Sequence, residues 1–415
     1  MRERISSMIS YQPALCKVVM LITMKEFLFE LNSFLEFFLF DKRKRRSEKL
    51  KKFITSESVT EGHPDKICDK ISDKILDTAL MQDKNSKMAV ECTIKNNTVF
   101  IYGECTTRAK LDYEKIAKNV LKEIGYQEEF KVITEISKQS AEINKAVDRI
   151  KTSAGDQGIM FGYATNETKE LMPLPILLAN KITMELAYVR KKDQNSPLLP
   201  DGKSQVTVEY ENDIPKRIDT IVVASQHKEN ISKDKLEKYI KEKVINKIIP
   251  KKYLDKNTKI LINTSGSFTI GGPFADSGTT GRKIVVDSYG GSAKVGGGCF
   301  SSKDATKVDR SASYYARYVA KNIVYNKLCD RCEIGVSYTI GMEKPIHINI
   351  ETFNTNKVPL EDINKFVDNN FNFSVDNIIN ELDLLRPIYY NTASYGHFGR
   401  TDIALPWEKT KEFNL

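Results

Sequence analysis

An imidazole, a carboxylate and an ammonium group stand together in the sequence GHPDK at residues 62–66, directly before a helical pattern. Asp65 can hold a hard cation, His63 can donate to a phosphate oxygen, and the amino-terminal end of a helix attracts anions. A simpler interpretation also fits, with Asp65 as an ordinary helix-start residue and His63 as a loop residue. This segment by itself therefore leaves both interpretations open.

Two further polar segments place charged residues beside glycine. GDQGIMFGYATNE at 155–167 puts Asp156 in a turn, and DGK at 201–203 opens a strand with Asp201 and Lys203. The third segment, 263–310, has ten glycines between 266 and 298, together with the cations Arg282, Lys283, Lys303 and Lys307. Backbone N–H groups and cations in such a loop can surround phosphate.

Known nucleotide-binding and nucleophile motifs are missing from the sequence. Neither GxxxxGK[ST] nor GxGxxG occurs, which argues against a P-loop and a Rossmann turn, and no Ser-His-Asp set or thiolate nucleophile stands out. One histidine, several aspartates and at least four cations instead match a polyphosphate that divalent metal and ammonium groups neutralise.

The elements that must position these groups repeat three times along the chain. Each polar segment leads to an amphipathic helix, two β-rich runs and a second helix. The first helices are predicted over 66–80, 175–188 and 310–324, and the second over 113–124, 233–248 and 360–371. The strand pairs are predicted over 88–94 with 98–105, 205–210 with 217–225, and 333–340 with 346–353.

This order predicts an α+β protein of three structurally similar α+β domains, each burying a small sheet of its own under helices. The predicted ranges are an N-terminal extension at 1–51 and domains at 52–150, 151–268 and 269–409.

Composition narrows the class of protein. The 415 residues are 40% hydrophobic and 29% charged, which excludes collagen-like, disulfide-scaffold and wholly disordered chains. Past residue 50 no apolar run approaches the roughly 20 residues of a bilayer crossing. A net charge of +9 and seven scattered cysteines favour a cytoplasmic protein in a reducing compartment, with no nucleic-acid or membrane partner.

Residues 1–50 allow three interpretations. They could form an amphipathic helix that contacts a membrane or partner, act as an organelle leader, or be upstream sequence translated from a wrongly chosen start codon. Acidic residues interrupt the apolar run at 20–40, and a basic cluster follows it at 42–46, which fits neither a secretory signal nor a transit peptide. The third interpretation is favoured, with Met24 as an alternative start.

Four motifs together resemble the S-adenosylmethionine synthetase, or methionine adenosyltransferase, family: 62–66, 155–167, GGP at 271–273 with Asp276, and KVDRS at 307–311. The similarity runs from about residue 53 to 409. It implies three α+β domains around a pseudo-threefold axis. It also implies a reaction in which methionine sulfur attacks ribose C5′ of ATP and expels triphosphate, which is then hydrolysed to pyrophosphate and phosphate.

The resemblance also implies roles for individual residues. The catalytic residues are His63, Lys203, Lys303 and Asp156. ATP is bound by His63, Asp201, Lys203, Phe268, Asp276, Arg282, Lys283 and Lys303. Methionine is bound by Glu104, Gln139, Asp276 and Lys307. Two Mg²⁺ ions per site are held by Asp65 and Asp309, and one K⁺ by Glu91. The family's partner is a second copy, in a homodimer with shared active sites that pairs into a homotetramer.

Other functions stay open at this point. A different ATP-dependent phosphotransferase on the same scaffold would leave ADP. A non-catalytic subunit or a nucleic-acid-binding module would have lost one of His63, Asp65, Lys303 or Asp309, and all four are present.

The chain departs from the family pattern at several positions. Ser267 replaces the usual arginine before the phenylalanine, and Ser302 replaces the usual glycine before the lysine, which predicts a stiffer loop. The family uses the segment after Gln139 as a mobile gate, and here Lys145 and Ala146 stand where Gln-Gly is usual. These departures concern turnover rate rather than reaction type.

Overall fold

The computed structural model describes residues 51–139 and 152–413. Among the described residues, 52–210 and 214–413 belong to one compact unit. The extension at 1–50 and the gate positions Lys145 and Ala146 lie outside the described residues. Within the described ranges, every helix is too short or too polar to cross a bilayer.

The secondary-structure elements run in mixed α and β order along the chain. The strands are β1 (Lys51–Val59), β2 (Lys87–Lys95), β3 (Thr98–Thr106), β4 (Lys131–Lys138), β5 (Gly158–Thr165), β6 (Leu198–Glu211), β7 (Ile214–His227), β8 (Lys259–Ile262), β9 (Gly278–Thr279), β10 (Arg331–Tyr338) and β11 (His347–Glu351). The helices are α1 (Pro64–Gln82), α2 (Tyr113–Ile124), α3 (Leu174–Lys192), α4 (Lys233–Ile240), α5 (Asn246–Ile248), α6 (Ile284–Asp287), α7 (Val308–Tyr325), α8 (Leu360–Asn370) and α9 (Val375–Glu381). A π-helical turn at Lys241–Ile245 joins α4 to α5.

The predicted helices and strand pairs are confirmed. Helices α1, α3 and α7 are the three first helices, and α2, α4 with α5, and α8 are the second ones. The strand pairs are β2 with β3, β6 with β7, and β10 with β11. The α+β class is likewise confirmed.

The prediction that each segment forms a sheet of its own needs correction. The sheets have the orders β4-β3-β2-β9, β1-β6-β7-β8 and β11-β10-β5. Strand β1 of the first segment therefore joins the second sheet, β5 of the second segment pairs with β10, and β9 of the third pairs with β2. Each of these three strands satisfies its backbone hydrogen bonds on an edge that another segment leaves open.

Two apolar cores lie beneath these sheets. One core joins residues of α1, α2, α7, β2 and β10, and the other joins α3 and α4 with β6 and β7. Helix α7 crosses β5 so closely that a Cβ on Gly162 would lie 2.0 Å from the carbonyl carbon of Ala316. Glycine at this position therefore lets α7 run through the interior, and the start of α7 brings Asp309 to the candidate site.

Candidate active site

Helix α1 begins at Pro64 and is capped by His63. The Nδ1 atom of His63 accepts the backbone N–H of Asp65 at 3.2 Å, which leaves the proton of the neutral ring on Nε2. Burial, assisted by the charge of Lys283, lowers the pKa of His63 to about 3. The ring is therefore neutral near pH 7 and has one N–H to donate.

Asp65 lies in the first turn of α1 and forms ion pairs with side chains from a distant part of the sequence. Its Oδ2 accepts a bond from Lys283 Nζ at 2.5 Å, its Oδ1 accepts the Thr279 backbone N–H at 3.0 Å, and the Arg282 guanidinium lies 3.6 Å away. Burial by itself raises the pKa of Asp65, but the bonds from Lys283 and Thr279 outweigh it and hold that pKa below its usual value. The carboxylate is consequently charged.

Strand β6 contributes Asp201 and Lys203 to the same region. Asp201 Oδ2 accepts the Gly272 N–H at 2.8 Å, which fastens the turn at 271–273 to β6. The charge of Lys203 lowers the pKa of His63 and that of Asp276 raises it, each by less than burial or Lys283 does. Lys203 is exposed, and no ion pair with it is formed by the described residues.

The half-buried Phe268 follows β8 in a loop that His227 holds in place. Its N–H donates to His227 Nε2 at 3.0 Å, and its carbonyl accepts the His227 N–H at 2.9 Å. Ser267 beside it is exposed. The sequence prediction missed His227, because nothing in its local pattern distinguishes it from a strand-end residue.

A second carboxylate–ammonium pair forms at the start of α7. Asp309 Oδ2 accepts a bond from Lys303 Nζ at 2.5 Å. A Cβ on Gly298 would lie 2.0 Å from Asp309 Cγ, so glycine leaves the room that this carboxylate occupies. Burial lowers the pKa of Lys303, but Cys299 and Asp309 outweigh it and raise that pKa, with a smaller contribution from the exposed Asp156.

Strand β2 fixes the positions of two cationic loops, one with Arg282 and Lys283 and the other with Lys303. Thr93 pairs with Thr279, just before Arg282 and Lys283, and Ala89 forms an antiparallel bridge with Lys303. Four residues of strand separate these attachment points by roughly 13 Å. The half-buried Glu91 lies between them on β2.

Three of the four predicted methionine-binding residues lie near the Lys303–Asp309 pair, whereas the fourth, Asp276, lies near His63. Glu104 on β3 is paired with Ala89, so Glu104, Ala89 and Lys303 form one row across neighbouring strands. Gln139 follows β4, where it is buried. Lys307 precedes α7, and its ammonium group donates to Oδ2 of the buried Asp304 at 2.7 Å.

The predicted site residues therefore fall into two regions. The first holds His63, Asp65, Asp201, Lys203, Phe268, Asp276, Arg282 and Lys283. The second holds Glu91, Glu104, Gln139, Asp156, Lys303, Lys307 and Asp309.

The two helix-start aspartates have the properties of Mg²⁺ ligands. Asp65 and Asp309 are both buried, and each already accepts a cation at one carboxylate oxygen. Mg²⁺ commonly takes one or two carboxylates and completes its shell with water and substrate phosphates. No cluster of three or more His, Cys, Asp or Glu side chains suited to a metal occurs in residues 51–139 and 152–413. Two separate carboxylates of this kind fit Mg²⁺ whose remaining ligands are water and phosphate oxygens.

Matches to protein-family models extend over almost all of residues 51–409. The N-terminal, central and C-terminal domains of S-adenosylmethionine synthetase match residues 51–149, 151–268 and 270–409. The chain belongs to the S-adenosylmethionine synthetase family. S-adenosylmethionine synthase of Clostridium botulinum (strain Alaska E43 / Type E3) is 50% identical over 380 residues, or 87% of this chain and 97% of the relative. That of Finegoldia magna is 50% identical over 377 residues, covering 86% and 96%.

The departure of this S-adenosylmethionine synthetase family member at Ser302 has a visible backbone consequence. Ser302 has a φ of +79°, in the left-handed region where glycine is favoured. Its side-chain Oγ is buried and finds no hydrogen-bond partner among the described residues. Glycine would adopt this backbone conformation freely, whereas serine adopts it only with strain.

Behind the site, α1 carries buried charges that the sequence prediction missed. Lys66 Nζ donates to Asp69 Oδ2 at 2.8 Å and to Asp287 Oδ1 at 2.5 Å, with all three side chains buried. The signal for these charges was the sequence DKICDKISDKILD at 65–77, where acids recur at every fourth position on one helix face. A charged stripe of this kind normally indicates a solvated face, so burial could not be predicted from it.

Proposed function

We propose that the chain synthesises S-adenosyl-L-methionine from ATP and L-methionine, by attack of the methionine sulfur on ribose C5′ with triphosphate as the leaving group. Triphosphate is then hydrolysed to pyrophosphate and phosphate. The observation that carries this proposal is the pairing of Asp65 with Lys283 and of Asp309 with Lys303. Two charged carboxylates, each beside an ammonium group at a helix start, suit a polyphosphate that is neutralised by metal and lysine. The phosphotransferase alternative finds no support in the comparisons.

The chemistry explains why the site needs cations more than a base. A thioether sulfur has no proton to lose, so attack on C5′ requires no general base. The expelled triphosphate carries several negative charges, and removal of one contact that stabilises such charge typically costs roughly 3 kcal/mol. His63 donates from Nε2 to an oxygen of the phosphate chain, while Lys203, Arg282, Lys283 and Lys303 oppose its charge.

The metal ions add to this neutralisation. Asp65 and Asp309 would hold two Mg²⁺ ions per site, and Glu91 would hold one K⁺. Bound Mg²⁺ would supply positive charge to phosphate oxygens of the substrate and leaving group. Lys283 and Lys303 lie beside these aspartates and oppose the phosphate charge with their ammonium groups.

The remaining predicted residues hold the organic parts of the substrates. Phe268 stacks on adenine, and Asp201 lies beside Lys203 at the nucleotide. Asp156 lies near the ribose and sulfonium. Methionine contacts Glu104, Gln139, Asp276 and Lys307.

A complete site requires a second copy of the chain, in a homodimer with shared active sites that pairs into a homotetramer. Support comes from the separation of the two regions on β2 and from an apolar sheet surface. Phe100 stacks on Tyr102 at 5.2 Å between ring centroids, and its strand neighbour Ile133 is 40% exposed. Such a surface, on the strand that also carries Glu104 of the second region, suits contact with an identical copy. The protein is cytoplasmic, with no nucleic-acid or membrane partner.

The test is a product assay with ATP, L-methionine, Mg²⁺ and K⁺, read by mass spectrometry with and without methionine. We expect methionine-dependent S-adenosylmethionine, pyrophosphate and phosphate, and no ADP. ADP formed without a sulfonium product would identify a phosphotransferase. A parallel reaction without K⁺ tests the Glu91 site. Mixing two inactive variants, one substituted in each region, tests whether the site is shared between copies. Mixed dimers that regain activity support sharing between copies.

A further inference from the structure

A buried ion pair connects the two helices that begin at the site. The Arg310 guanidinium, next to Asp309 on α7, donates to both carboxylate oxygens of Asp73 on α1, at 2.7 and 2.8 Å. The Arg310 side chain is 1% exposed and that of Asp73 is 0% exposed. Asp73 lies two turns along α1 from Asp65, so this pair joins the two helices whose first turns carry Asp65 and Asp309.

Asp73 also holds the loop that precedes Lys303. Its Oδ2 accepts the Ser301 hydroxyl at 3.0 Å, and its Oδ1 accepts the Ser302 backbone N–H at 3.1 Å. The second bond lies at the residue with the left-handed φ of +79°. The carboxylate of Asp73 thereby supports the strained backbone conformation from which the Lys303 side chain extends.

Arg310 reaches the same loop from the other helix. In addition to Asp73, its NH1 group donates to the Lys303 carbonyl at 3.2 Å, and its Nε donates to the Tyr314 hydroxyl at 3.0 Å. The guanidinium carbon lies 4.1 Å from the centre of the Tyr389 ring. These contacts fix the plane of the guanidinium, which aims its donors at one carboxylate and one carbonyl in a geometry that lysine cannot reproduce.

We propose that Asp73 and Arg310 are positioning residues for the synthesis reaction, which set the Lys303 loop relative to Asp309 within the second region. The inference rests on the proposed function, since it takes Lys303 and Asp309 to meet the metal–triphosphate group. Neither positioning residue touches substrate. They act by keeping the Asp309 carboxylate and the Lys303 ammonium group, from two separate elements, in a single arrangement.

The test compares two conservative substitutions on the same helix. Arg310→Lys keeps the charge and loses the fork that binds Asp73 and the Lys303 carbonyl. Arg317→Lys is the matched control, because Arg317 is equally buried, binds Glu408 through two bonds of 3.0 Å, and also donates to backbone carbonyls. Both variants lose a buried bidentate pair on α7, and only one of these pairs adjoins the site.

Arg310→Lys is expected to lower kcat per folded enzyme by about 100-fold, the scale of a misplacement of about 1 Å. The Mg²⁺ concentration for half-maximal rate should rise by about 10-fold, a change equivalent to about 1.4 kcal/mol. In Arg317→Lys, kcat should stay within about two-fold of the original, with unchanged Mg²⁺ dependence, although its thermal stability falls. A second readout without turnover is binding of Mn²⁺, followed by electron paramagnetic resonance, in the presence of a non-hydrolysable ATP analogue. It should weaken in Arg310→Lys alone.

Equal losses of kcat and Mn²⁺ affinity in both variants would overturn the proposal, as would unchanged values in Arg310→Lys. If Arg310→Lys does not fold, Asp73→Asn replaces it, since the amide oxygen can still accept from Ser302 while the bidentate charge pair is lost. Asp309→Asn distinguishes the proposed metal site from the positioning role. An unaffected Asp309→Asn refutes the proposed metal site, whereas an inactive Asp309→Asn beside a fully active Arg310→Lys refutes only the positioning role.

Discussion

Replacing Ser302 by glycine should stabilise the protein. A left-handed backbone costs a residue with a Cβ roughly 1–2 kcal/mol, and Ser302 has a φ of +79°. Removal of its buried, unpartnered hydroxyl adds about 1 kcal/mol. Glycine increases the freedom of the unfolded chain and takes back roughly 0.4–1 kcal/mol. We therefore expect Ser302→Gly to raise the free energy of unfolding by about 1–2.6 kcal/mol.

Urea unfolding followed by circular dichroism would measure this difference, with Ser302→Ala as the control. Alanine removes the hydroxyl and keeps the strain, so the difference between the two variants isolates the contribution of the backbone conformation. Both variants retain the backbone N–H that donates to Asp73 at 3.1 Å. A glycine variant less stable than the alanine variant would refute the assignment of strain to this residue.

Three further predictions concern the site itself. Asp309→Asn should lower kcat by at least about 100-fold, because it removes a charged metal ligand; kcat like that of the original enzyme at saturating Mg²⁺ would contradict the assignment. Gly298→Ala should reduce activity to a similar extent, since its Cβ would lie 2.0 Å from Asp309 Cγ, and Gly297→Ala is the control because open space surrounds that position. Burial lowers the pKa of His63 from 6.5 to about 3, so its stabilising contribution is complete above pH 6.5 and declines as the pH falls towards 3. Between pH 7 and 5 the original chain should lose about 2 kcal/mol more unfolding free energy than His63→Asn in urea titrations, and equal losses would exclude this role.

The sequence predicted those parts of the fold that depend on local periodicity. Apolar residues at helical spacing located α1, α3 and α7, and alternating runs located the long strand pairs, because each pattern reflects one buried face. The two-residue strand β9 and the edge strands β1 and β5 could not be paired in advance. Their partners are set by which sheet edge another segment leaves open, and no short window of sequence contains that information.

For the candidate site, too, local patterns could be predicted and long-range partners could not. Glycine-rich segments with neighbouring cations indicated the residue types of a polyphosphate site. The pairing of Asp65 with Lys283, 218 positions later, depends on β9 lying against β2, so it required the structure. The buried charges of α1 were unpredictable for a related reason, since their partners Asp287 and Arg310 come from a distant segment.

The exchange of strands among the three segments has a consequence during protein synthesis. The edge of β2 at Thr93 is covered only when Thr279 has been made, 186 residues later. At roughly 5–20 residues per second, a ribosome takes roughly 10–40 seconds over that interval. Through this period the nascent first sheet presents an open edge that a second nascent chain could occupy. The enzyme's yield in a cell should therefore depend on how well chaperones protect the growing chain until its third segment emerges.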